Sequence, residues 1–219
     1  MLAFENITKK YGKDVVLDSV DMVLGPGEFA FLTGPSGAGK STLLRLILKE
    51  ESVDSGKIFI DSEDITKVSK KDMPKVRRKV GFVFQDYRLL PSKNSFENVS
   101  IALEIKGKSE SVIKKIIPDL LASVGLANKM DNYPWQLSGG EKQRLAIARA
   151  LALEPKIIVA DEPTGNLDNA TSWEIINLLS DINKKEGTTI LVATHNLDVV
   201  NTLKNRVFHL ENGRIIKNV

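Results

Sequence analysis

Gly34-Pro35-Ser36-Gly37-Ala38-Gly39-Lys40-Ser41 decides the fold. The spacing, a glycine, four residues and then Gly-Lys-Ser, is that of a phosphate-binding loop. Its flanks agree. Phe29-Ala30-Phe31-Leu32-Thr33 before it is a continuous apolar run, as a strand covered on both faces requires. Residues 41–49 after it place Leu43, Leu44, Ile47 and Leu48 on one helical face. In such a strand–loop–helix the glycines let backbone N–H groups close on phosphate oxygens, and the helix N-terminus favours negative charge. Lys40 is placed to reach the β- and γ-phosphates of a nucleotide, and the Ser41 hydroxyl to ligate Mg²⁺.

Outward from the loop, Leu17, Val20, Met22 and Leu24 roughly follow a two-residue period, and Gly25-Pro26-Gly27 marks a tight turn. Residues 57–61 and 80–84 read as strands. A basic stretch over 67–79 (Lys67, Lys70, Lys71, Lys75, Arg77, Arg78 and Lys79) separates them and reads as helical, either a solvated face or a contact for anionic headgroups. From 86 to 155 the character is helical, with Val112, Ile113, Ile116, Ile117, Leu120, Leu121 and Val124 recurring at three and four residues. Pro118 interrupts that pattern and predicts a kink or a helix restart. Strand signals return at 157–160, 189–193 and 207–210, and Glu211-Asn212-Gly213-Arg214 predicts a hairpin. The expected architecture is α/β, with a nucleotide-binding core from 1–85 and 156–219 and a helical subdomain, 86–155, inserted between.

Composition narrows the chemistry. The 219 residues carry 31 Lys+Arg against 28 Asp+Glu, a charge of +3, which is too small to imply nucleic acid. With no cysteine and only His195 and His209, disulfides, thiolate metal sites and multi-histidine sites are excluded. No apolar run approaches the roughly 20 residues that span a bilayer, and no signal-peptide pattern opens the chain.

Ile157-Ile158-Val159-Ala160-Asp161-Glu162 is an apolar strand ending in two carboxylates. Asp161 suits Mg²⁺, and Glu162 can polarise a water for attack on a γ-phosphate. To this point small-molecule kinases and GTPases remain open. Leu137-Ser138-Gly139-Gly140-Glu141 separates them, because here the sequence resembles the ABC ATPase family, whose signature is Leu-Ser-Gly-Gly-Gln. Position five departs from that pattern as Glu141. The resemblance implies a P-loop NTPase core with an N-terminal antiparallel β subdomain and the inserted helical one. It implies ATP and Mg²⁺ as cofactors, and a dimer in which the cup of Ser138, Gly139, Gly140 and Glu141 closes on the γ-phosphate held by the other subunit.

Other family positions follow in order. Tyr11 matches the aromatic that stacks on adenine, and Thr42 joins Gly34–Ser41 in the nucleotide set. Gln85 matches the glutamine that contacts Mg²⁺ or the attacking water. Asn166-Leu167-Asp168 matches the loop crossing the dimer interface, with Asp168 at the nucleotide, and His195 matches the histidine at the γ-phosphate. His209 is expected to be structural. Phe84-Gln85-Asp86 with Leu89-Leu90, and residues 160–168, resemble the cell-division branch of the family, whose ATPases work with membrane proteins of the FtsX type in controlling cell-wall hydrolysis. Lipoprotein-release and macrolide-type exporter ATPases share Thr164-Gly165-Asn166-Leu167-Asp168 and are the alternative. Either way one cassette fills the length, so attachment to the cytoplasmic face of the membrane is expected to come from the partner, through the Gln85 segment and the helical subdomain.

Overall fold

The computed structural model describes residues 1–69 and 71–218, so Lys70 of the basic stretch lies outside the described residues. The chain opens with β1 (Leu2–Tyr11), β2 (Asp14–Leu24) and β3 (Phe29–Thr33), followed by α1 (Lys40–Ile47), β4 (Ser55–Ile60) and the two-residue β5 (Glu63–Asp64). Next come α2 (Met73–Arg77) and β6 (Val80–Val83), then three helices, α3 (Ser95–Ile105), α4 (Glu110–Ser123) and α5 (Gly139–Leu151). The last third alternates: β7 (Ile157–Asp161), α6 (Asn169–Glu186), β8 (Thr189–Ala193), α7 (Leu197–Leu203), β9 (Arg206–Glu211) and β10 (Arg214–Asn218).

The strands form two sheets. One is antiparallel, in the order β2-β1-β4-β5; the other runs β10-β9-β3-β8-β7-β6, parallel except for β10. Alternation of side chains along each strand then fixes the layers. Phe29, Phe31, Ile158, Ala160, Ile190 and Val192 face one core, shared with α3–α6. Ala30, Leu32, Ile157, Val159, Leu191 and Ala193 face the other, shared with α1 and the antiparallel sheet. The parallel sheet is thus buried on both sides, which is why its strands read as unbroken apolar runs. Asn212 (φ 48°) and Gly213 (φ 75°) form the expected hairpin turn between β9 and β10.

One expectation needs correction and another is narrowed. Among its described residues the basic stretch is α-helical over Met73–Arg77, and Lys67 closes a separate 3₁₀ turn, Ile65–Lys67. Several of its charges are paired locally, Lys75 with Asp72 at 2.9 Å and Lys79 with Glu63 at 2.5 Å. At Pro118, where a kink or a restart was expected, α4 runs through without a restart. Ile113, Ile117 and Leu121, none more than 4% exposed, seat the turns on both sides of the proline in the core. Packing there outweighs the hydrogen bond that proline cannot donate to the carbonyl four residues back. Pro118→Ala restores that donor and is expected to raise stability by about 1–3 kcal/mol, a few degrees in Tm by thermal denaturation. A lower Tm would mean that the ring's own packing is needed.

Candidate active site

β3 lies between β9 and β8 and ends in the glycine loop, at the carboxyl edge of the parallel strands where open α/β sheets bind ligands. Gly34 has φ 145°, and a Cβ there would fall 2.0 Å from the Leu210 carbonyl oxygen, so no other residue fits. Gly39 caps α1 at φ 103° against Val16 and Leu17. Between them the loop folds around Lys40, whose side chain is 8% exposed. Its ammonium donates to the carbonyls of Gly34 at 2.8 Å and Pro35 at 3.1 Å.

β7 carries the two carboxylates to the same edge. Asp161 accepts from the Ser41 hydroxyl at 3.2 Å. Burial pushes its carboxyl above the ordinary value, the Ser41 bond lowers it, and neighbouring Glu162 adds to the rise. Glu162 has a left-handed backbone, φ 47°, held by its N–H on the Ala193 carbonyl at 2.9 Å and by its own carbonyl accepting from Gly165. Strain of this kind in a non-glycine residue costs about 1–3 kcal/mol and gathers at functional sites. It aims the Glu162 carboxylate at two groups, His195 Nδ1 at 2.9 Å and Lys40 Nζ at 3.9 Å.

These groups line a cleft of about 570 Å³, with Ser36, Gly37, Gly39, Lys40, Ser41, Thr42, Gln85, Glu162 and His195 in its wall. The wall also contains Val16, which no motif announced: β2 brings it there through its pairing with β1. Tyr11 is not in the wall. It ends β1, is 42% exposed, and its hydroxyl bonds Glu51 and Thr42, with the Lys9 ammonium 5.0 Å from the ring centre. Ser41, Asp161 and Gln85 supply the hard oxygen donors that suit Mg²⁺. Asp161 is a largely buried carboxylate whose one side-chain hydrogen bond among the described residues comes from a neutral hydroxyl, so a divalent cation fits the donor set.

Five other expected site residues lie at two helix starts outside this wall. Ser138 is the exposed N-cap of α5: its hydroxyl accepts from the Glu141 N–H at 3.2 Å, and the Glu141 carboxylate accepts from the Ser138 N–H at 2.8 Å. That bond, then the Lys129 ammonium at 3.1 Å, holds the Glu141 carboxyl low. The N–H groups of Gly139 and Gly140 in the first turn have no intrahelical acceptor. Asp168 likewise caps α6, accepting from the Thr171 N–H at 3.0 Å and hydroxyl at 2.6 Å. Neither cap enters the cleft wall of its own chain. Three links tie them to it: Asn166 donates to the Gln85 carbonyl at 3.2 Å, and Arg149 of α5 donates to the carbonyls of Tyr87 at 2.8 Å and Arg88 at 2.6 Å. His209 is structural, with Nδ1 2.9 Å from the Thr33 hydroxyl.

The raised Asp161 carboxyl gives a pH prediction. A folded value above the ordinary 3.8 means the native chain holds its proton longer than the unfolded chain. Stability is therefore lost as pH rises through the folded value, and no penalty remains below the unfolded one. In EDTA, Asp161→Asn is expected to melt higher than the parent at pH 7, with the difference closing towards pH 4. A pH-independent difference would refute the assignment to this carboxyl.

Comparison with known proteins agrees with this geometry. The sequence pattern of the ABC transporter family matches residues 17–165. The cell division ATP-binding protein FtsE of Streptococcus pneumoniae is 48% identical, covering 99% of this chain and 94% of that protein. FtsE of Bacillus subtilis is 46% identical over 99% and 95%, and FtsE of Escherichia coli 44% over 98% and 97%. Among solved structures, a dimeric ATP-binding cassette in a post-hydrolysis state with ADP and phosphate superposes with a TM-score of 0.90 at 36% identity, covering 100% of this chain and 98% of that one. Agreement at this level over nearly the whole length, together with the family pattern, establishes that the chain belongs to the ABC transporter family, as one of its ATP-binding, ATP-hydrolysing cassettes.

Proposed function

We propose that the chain is the ATPase subunit of a cell-division complex of the FtsE kind, working as a head-to-tail dimer on a membrane partner of the FtsX type. The supporting observation is the split of the expected site. Lys40, Ser41, Gln85, Glu162 and His195 converge on one cleft, while the Ser138–Glu141 helix start, with its outward N–H groups, stands outside it. A second copy turned head to tail supplies that start to the γ-phosphate, and its Asp168 segment crosses at the seam.

Lys40 and the loop amides hold the β- and γ-phosphates. Ser41, Asp161 and Gln85 would hold Mg²⁺, which supplies neutralisation of charge on the phosphate oxygens. Glu162 accepts the proton of the attacking water, and His195, bonded to Glu162, orients the terminal phosphate. Tyr11 borders the base end beside Thr42. The helical region, 86–155, carries the signature helix, and residues 1–85 and 156–219 the nucleotide.

Hydrolysis then reaches the membrane through the segment after Gln85. An apolar groove of about 350 Å³, which includes Leu48, Phe82, Phe84, Ile101 and Ile105 with Arg88 and Arg149 on its rim, lies beside it and suits a cytoplasmic element of the partner. Among the described residues no helix is long and apolar enough to cross a membrane, so the partner holds the chain at the cytoplasmic face. The relatives named for cell division support a role there, and control of peptidoglycan hydrolysis is the output we infer.

Glu162→Gln is expected to bind ATP, accumulate as a dimer in sedimentation, and hydrolyse about 10²–10⁴ times more slowly. Ser138→Arg is expected to keep ATP binding by the monomer and abolish the dimer. A Glu162→Gln chain that stays monomeric with ATP, or hydrolyses normally, overturns the reading. Co-purification from membranes, with identification of the retained protein, tests the FtsX-type partner.

A further inference from the structure

One side chain of α5 is unaccounted for. Gln143 is fully buried, and neither its Nε2 nor its Oε1 has a hydrogen-bond partner among the described residues. Buried amides are nearly always bonded, because a bare one forfeits its hydration without return.

Helix geometry locates this amide. A helical side chain lies over the turn N-terminal to its own Cα, and residues three and four apart share a face. Gln143 therefore projects along the face of Gly139 and Gly140, whose missing side chains leave it room. That face borders the segments already tied to the cleft. A Cβ on Gly139 would stand 3.0 Å from Leu167 Cδ2 and 3.5 Å from the Tyr87 hydroxyl; one on Gly140 would stand 2.5 Å from Thr171 Cγ2. The Thr171 hydroxyl is committed to Asp168. The Tyr87 hydroxyl is not committed: no hydrogen bond engages it among the described residues, and burial alone pushes its phenol up. Tyr87 also sits in a left-handed backbone, φ 59°, two residues after Gln85. A fully buried amide and a half-buried phenol hydroxyl of matching chemistry thus flank one turn of the signature helix, and no other described residue engages either.

We propose that Gln143 and Tyr87 are a positioning pair, whose hydrogen bond forms when two chains close on ATP and α5 shifts against the segment after Gln85. The bond favours the closed dimer because the arrangement described above lacks it. It also times the event, since Arg149 already holds the signature helix to the Tyr87 and Arg88 carbonyls and the Gln143–Tyr87 bond is added only when the second chain has engaged the first. The inference rests on the head-to-tail reading.

The test uses ATP-driven dimerisation of the full chain in the Glu162→Gln background, followed by sedimentation. Adding Gln143→Leu is expected to raise the ATP concentration for half-dimerisation about fivefold, the worth of one hydrogen bond. Tyr87→Phe should do the same, and the double variant should be no worse than either single. Without nucleotide, Gln143→Leu should melt no lower than its parent, because leucine fills the space with no unmet bond. Unchanged dimerisation, additive effects of the two substitutions, or a lower melting temperature without nucleotide would overturn the pair and leave the dimer reading standing. A Glu162→Gln chain that never dimerises removes the dimer reading and the pair with it.

Discussion

An ammonium held inside a protein must be given oxygen atoms, and the placement of Lys40 organises the rest of this chain. At 8% exposure it draws the Gly34 and Pro35 carbonyls towards itself, which curls the loop around the ammonium. The curl closes only if Gly34 passes within van der Waals contact of the Leu210 carbonyl, so the loop depends on β9 lying beside β3. On the other side, β8 and then β7 bring Glu162 to within 3.9 Å of the same ammonium. One cation therefore sets conditions on residues from both ends of the sequence.

Much of this was legible in the sequence because the parallel strands have no solvent face. The run 189–193 coincides with β8, and 157–160 with all but the last residue of β7, because each strand is covered on both sides and its apolar run ends where the chain reaches the cleft. The Asn212-Gly213 turn was legible for a similar reason, since few residue pairs tolerate two positive φ values in succession. Ser138 and Glu141, three residues apart, announce a capped helix start.

What stayed hidden depends on contacts between distant segments. Val16 reaches the cleft, and Tyr11 stops short of its wall, because the β1–β2 pairing contains register shifts between Phe4 and Lys10 that no local pattern encodes. Proline chemistry left a kink or a restart open at Pro118, and what rules out the restart, the seating of Ile117 and Leu121, is a property of the finished core. The basic stretch promised a helix by composition, and among its described residues the charges fall instead on a 3₁₀ turn, a short helix and the turns beside it, some paired with Asp72 and Glu63. Gln143 was passed over because a glutamine in a helix is unremarkable until its burial is known.

The strand order also governs when the chain becomes competent. Synthesis delivers the glycine loop within the first 41 residues, but its walls arrive late: Glu162 about three quarters of the way along, His195 after that, and Leu210 near the end. A ribosome adding about 5–20 residues per second leaves the loop without its neighbours for about ten seconds or more. Over that interval β3, with both edges unpaired, is an exposed apolar segment that must be kept from other chains. The loop therefore takes its shape only after β9 has come to lie beside β3, so the geometry that suits a phosphate is among the last things the chain acquires.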